Sequence, residues 1–131
     1  MIRATLAVVA GLVVWAISAT GVDVLLRSML PGYAAAEPHM QFTLGMMLAR
    51  LALPGAIPSV LAGFVTAWIA RQAARVVTAL AIVLVLAFAP SHYYLWTKFP
   101  PWYHLTFLVS LFVLTWCGAR LQGLLVRPRL A

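Results

Sequence analysis

The sequence predicts an all-α membrane protein, a single domain over residues 1–131 built as a bundle of four antiparallel transmembrane helices. Three observations carry that reading. Hydrophobic residues make up 65% of the chain, charged residues only 8%, and the mean hydropathy is +1.03. A soluble domain of this length cannot cover such a core with so little polar surface. Apolar stretches long enough to cross a bilayer, about 20 residues, recur four times. Between them lie PGYAAAEPH (31–39), RQAAR (71–75) and TKFPP (97–101), each rich in proline, glycine or charge as breakers should be.

The spans are expected at roughly 4–30, 40–70, 73–96 and 102–122. The first opens like a signal peptide, with Arg3, the apolar LAVVAGLVVWA and the small-residue end Ala16-Ile17-Ser18. Its apolar run continues past Ser18 to Leu30, so it is expected to stay as a span. The second contains LALPGAIPS, where Pro54-Gly55 and Pro58 predict a helix break. Such a break frees backbone carbonyls that Ser59, a neighbouring helix or water must satisfy. Discontinuous helices beside a charge often mark transport sites. Ser59, Gly63 and Ala67 then recur at every fourth position, as do Ala7 and Gly11 in the first span. Small stripes of this kind allow close contact, so spans 1 and 2 are expected to pack tightly. Pro90 is expected to bend the end of span 3, and Pro100-Pro101 to set the start of span 4. The short connections predict that sequence neighbours are packing neighbours.

Charge placement predicts orientation. One set of flanks carries Arg3, Arg71, Arg75, Arg120, Arg127 and Arg129; the other carries Arg27 and Lys98. That asymmetry puts both termini in the cytoplasm. The net charge of +7 is scattered without a basic run interleaved with aromatics, which argues against a nucleic-acid partner. The single cysteine, Cys117, excludes an internal disulfide and any paired-cysteine metal motif, and its apolar surroundings predict a buried thiol.

SHYYLWTKFPPWYH (91–104) concentrates aromatics at one turn. Tyr93, Tyr94, Trp96, Trp102 and Tyr103 are read as interfacial anchors, because an amphipathic ring suits the level between acyl chains and water. His92 ends span 3 and His104 begins span 4, while His39 opens span 2 with Glu37 beside it. Converging imidazoles and a carboxylate could hold zinc or copper, and His92 with His104 could ligate haem between facing helices. Their spacings match no metal motif, so no metal and no cofactor is expected.

Arg50 lies inside span 2, where a charge is expensive unless paired or watered. Asp23 lies at matching depth in span 1, with Arg27 four residues on in the favourable acid-before-base order. Antiparallel packing of the two spans predicts a cluster of Asp23, Arg27 and Arg50. It is read either as an ion pair clasping the hairpin or as a binding site for an anionic headgroup or substrate.

Pro101-Trp102-Tyr103-His104-Leu105, with SVLAGFVTAWIAR (59–71) and LPGY (30–33), resembles a loose group of small, largely uncharacterised four-span bacterial inner-membrane proteins. The resemblance implies the bacterial cytoplasmic membrane and brings no activity with it. With no nucleophile–base pair and no phosphate loop, the chain is not expected to be an enzyme. The first reading is a non-catalytic accessory or structural subunit, partnered by the bilayer and by other membrane subunits or itself. The alternative is a small oligomeric carrier or channel whose site is Asp23, Arg50 and the Pro54–Pro58 break. A third class is a haem- or metal-binding redox subunit using the histidines.

Overall fold

The computed structural model describes residues 1–126; Arg127 and Arg129, counted above for orientation, lie outside them. Among the described residues there are six α-helices: α1 (Ile2–Met29), α2 (Tyr33–Ala36), α3 (Leu44–Arg50), α4 (Ile57–Ile69), α5 (Ala74–Tyr94) and α6 (Pro101–Val126). A π-helical turn, Leu51–Ala56, joins α3 to α4, so Leu44–Ile69 runs as one continuous span. Among the described residues four helices are long and apolar enough to cross a membrane. The chain is therefore all-α, and its composition is that of a multi-pass membrane protein.

Contacts define the topology. Spans 1 and 2 are antiparallel: Thr66 Oγ1 donates to the Ala7 carbonyl at 3.1 Å, and Trp15 Nε1 donates to Ser59 Oγ at 3.1 Å. Spans 3 and 4 are antiparallel as well, with Phe88 against Phe107 and His92 against His104. Spans 2 and 4 run parallel, Gly55 meeting Phe107 and Gly63 meeting Thr115. One end of the bundle thus carries residues 30–43 and 95–100, here called the loop end. The other holds Ile2, the 70–73 turn and Val126.

Sequence adjacency does not decide the packing order. Span 2 sits between spans 1 and 4, and its most extensive contact is with span 4. Small residues explain this. A Cβ on Gly63 would collide with the Thr115 backbone, and one on Gly118 with the Val60 carbonyl, so the two backbones touch. The expected stripe therefore divides: Ser59 faces span 1 and Gly63 faces span 4, while Ala7 and Gly11 of span 1 receive Thr66. Ala62, Leu80, Leu84 and Leu111 fill the centre, and Ala67, Val77 and Ala119 fill the end near the termini. Cys117 is on the exposed face of span 4, beside Phe112, Val113 and Leu121, and is not the buried thiol expected. Span 4 turns its glycine and threonine inward, which turns that cysteine outward.

The expected break in span 2 is instead a wide turn without interruption. Pro54 has no N–H for the Arg50 carbonyl, and the widened π turn absorbs the mismatch. Ser59 Oγ donates to the Gly55 carbonyl at 2.8 Å and itself accepts from Trp15. Span 2 also starts later than expected. Met40 has a left-handed backbone (φ 52°), and Thr43 caps the helix by accepting from the Met46 N–H at 3.3 Å. Span 3 runs through Pro90 to Tyr94.

Candidate functional site

The loop end gathers both of the chain's carboxylates. Arg27 Nη2 lies 2.9 Å from Asp23 Oδ2 and 2.7 Å from Glu37 Oε1. Asp23 and Arg50 are not in an ion pair; Tyr33 stands between them. Arg50 Nη1 donates to the Tyr33 hydroxyl at 2.7 Å, and that hydroxyl donates to Asp23 Oδ1 at 3.3 Å. Burial pushes Tyr33 above the ordinary tyrosine value, with Arg50 opposing, so the hydroxyl stays protonated and can serve both neighbours. Tyr33 is fully buried because Gly32, with φ 79°, turns the chain back over the bundle.

Tyr33 begins an aromatic stack that continues through Phe42, Phe99 and Tyr103 and joins the two loops over Arg50. The Arg50 guanidinium lies 5.3 Å from the Phe42 ring centroid, in cation–π range, and faces the Tyr103 hydroxyl. Phe42 and Tyr33 are not among the site residues expected from the sequence. The GY pair after Pro31 was the available signal for Tyr33, since glycine permits the turn that buries the ring.

Arg50 borders two cavities. One, of about 310 Å³, is lined by Trp15, Asp23, Arg27, Pro54 and Phe88 among others. The second, of about 250 Å³, is lined by Ser91, His92, Leu95, Phe99 and Tyr103 with Arg50. Gly55 of the π turn also lines the first cavity, and Pro58 is buried beneath it. Among the described residues Arg50 has no carboxylate within ion-pair distance. A guanidinium offers five donors, and only one is directed at Tyr33. The Tyr103 hydroxyl faces the same group, and the remaining donors border the cavities.

The expected anchors separate into two groups. Tyr93 and Tyr94 are 80% and 84% exposed, and Trp96 and Trp102 are partly so. Tyr103 is only 2% exposed, so it is a wall of the site rather than a lipid-surface anchor. It points inward because its neighbour Trp102 takes the outward face of the same turn.

His92 and His104 do meet, Nδ1 to Nδ1 at 2.7 Å with the rings perpendicular. His104 is fully buried, its ring stacked on Trp96 and its Nε2 3.3 Å from the Trp96 carbonyl. Two nitrogens at a tetrahedral metal stand roughly 3.3 Å apart, given metal–nitrogen bonds of about 2.0–2.1 Å. The observed pair is closer and is a hydrogen bond. His39 is exposed in the 3₁₀ turn Glu37–His39, and Glu37 is held by Arg27. No three His, Cys, Asp or Glu among the described residues converge as a metal cluster.

Comparison with family models, curated proteins and solved structures gives no match for this chain.

Proposed function

We propose that this chain is a multi-pass protein of the bacterial cytoplasmic membrane that binds an anion at Arg50, in the manner of a small carrier. The supporting observation is a single one. The intramembrane cation bonds to neutral tyrosine and borders two cavities, while both carboxylates pair with Arg27. An uncompensated charge inside a span costs up to about 2.5–3.5 kcal/mol on insertion scales, the value at the helix centre. A bound anion offsets that cost. The charge asymmetry of the flanks supports cytoplasmic termini, so the site would open to the outer face.

The test is anion binding by protein purified in mild detergent, read from the fluorescence of Trp15 in the cavity wall. Saturable quenching by inorganic phosphate is expected, and Arg50→Gln should abolish it. Unchanged binding in Arg50→Gln would remove the site from Arg50. Uptake of labelled phosphate into liposomes tests the carrier class.

A second reading, an accessory or structural subunit, draws on span 1. Ile2, Leu6, Val9, Val13, Ile17 and Val24 are exposed along one face of that helix. A partner helix would cover this stripe, and binding without uptake, together with a co-purifying membrane subunit, would favour it.

A further inference from the structure

We infer that the Arg50 site selects an oxyanion that still carries a proton, such as hydrogen phosphate or a phosphate monoester, with His92 Nε2 accepting that proton's hydrogen bond. The inference rests on the anion-binding reading and adds the ligand's chemistry to it.

The Trp96 carbonyl can only accept, so His104 Nε2, 3.3 Å away, carries a hydrogen. Arg50 of span 2 is the cation that faces the pair, and the carboxylates are engaged by Arg27. No carboxylate faces the pair as a counter-charge, so the bonds are assigned with one hydrogen on each ring. His104 Nδ1 is then a bare acceptor. His92 Nδ1, 2.7 Å away, must donate to it. That assignment leaves His92 Nε2 without a hydrogen. Nε2 has no protein partner, yet among the described residues no fully buried side-chain nitrogen or oxygen lacks one. Nε2 is therefore not fully buried, and His92 lines the cavity of about 250 Å³ together with Arg50, Ser91 and Tyr103. The groups that face His92 are His104 and Tyr103 from span 4 and Arg50 from span 2.

Such a cavity offers an array of donors on one side and a single acceptor on the other. A fully ionised oxyanion satisfies Arg50 but presents a lone pair to His92 Nε2. A monoprotonated one satisfies both. Sulfate and phosphate have nearly the same shape, and at neutral pH only phosphate carries an O–H. A phosphate monoester, free or as a lipid headgroup, does so in its monoanionic form, whose second pKa is about 6, whereas a phosphodiester has no such proton.

The experiment places the protein in phosphatidylcholine nanodiscs and titrates it with inorganic phosphate and with sulfate at neutral pH. Wild type should bind phosphate about tenfold or more tightly than sulfate, the effect of one unpaired acceptor in the site. His92→Gln supplies its own donor, and His104→Gln lets His92 reverse its tautomer. Either change should bring the ratio close to one. Equal binding of both anions by wild type overturns proton recognition and leaves the Arg50 site standing. Phosphate and sulfate binding that persists in Arg50→Gln overturns the anion site itself. If neither histidine variant folds, the wild-type ratio decides alone. Nanodiscs doped with phosphatidic acid or phosphatidylglycerol identify the source. Competition by phosphatidic acid but not phosphatidylglycerol assigns a lipid monoester; competition by neither assigns the free anion; equal competition by both overturns the inference.

Discussion

Toward the termini, Gly63 of span 2 lies against the Thr115 backbone and Gly118 of span 4 against the Val60 carbonyl. At the loop end the same two spans stand apart, with span 1 walling a cavity of about 310 Å³ and span 3 one of about 250 Å³. The difference arises in side-chain volume and backbone geometry. Glycine, alanine and threonine let the backbones touch at one end. At the other, the π turn at Leu51–Ala56 widens span 2 while Phe107 and Tyr103 hold span 4 away. The close end fixes the register of the helices. The open end uses that register to align Arg50, Tyr33 and His92 without having to pack tightly itself.

The largest effect should come from filling the close end. Gly63→Val or Gly118→Val puts side-chain carbon into a neighbouring backbone that cannot give way, a loss of about 3 kcal/mol or more. Denaturation in mixed detergent micelles should show it as loss of the folded state. Near-wild-type stability would refute the backbone contact.

The polar end should respond more moderately and through one atom. Asp23→Asn and Arg50→Gln are expected to couple by about 1–2 kcal/mol in a double-mutant cycle. Repeating the cycle in Tyr33→Phe should erase that coupling, because the hydroxyl is the link between the two side chains. Coupling that survives without it would mean a direct or water-bridged contact.

Between the two ends, Trp15→Phe removes the hydrogen bond to Ser59, which then serves the Gly55 carbonyl alone. A cost of about 1 kcal/mol is expected in the same assay. The smallest effect belongs to the lipid surface. Tyr93→Ala and Tyr94→Ala should stay within about 0.5 kcal/mol, since both rings lie outside the bundle. Tyr103→Ala should cost several times more, because that ring stacks on Phe99. Equal effects at Tyr93 and Tyr103 would break the distinction between anchor and wall.

Composition and the four apolar runs determined the helical, membrane-spanning architecture, because a hydrocarbon medium admits few other solutions for a chain this apolar. Depth was legible too: Asp23 and Arg50, and His92 and His104, lie at matching levels because the rise of a helix is regular and the connections are short. Lateral arrangement was not legible. Rotation about each helix axis decides whether Tyr103 lines a cavity or meets lipid, and whether Gly63 faces span 1 or span 4. That rotation is set by how all four surfaces fit at once. Tyr33 shows the same limit within a loop. Its place between Asp23 and Arg50 depends on the Gly32 turn, the Phe42 stack and the register of spans 1 and 2 together, and no local pattern encodes their sum.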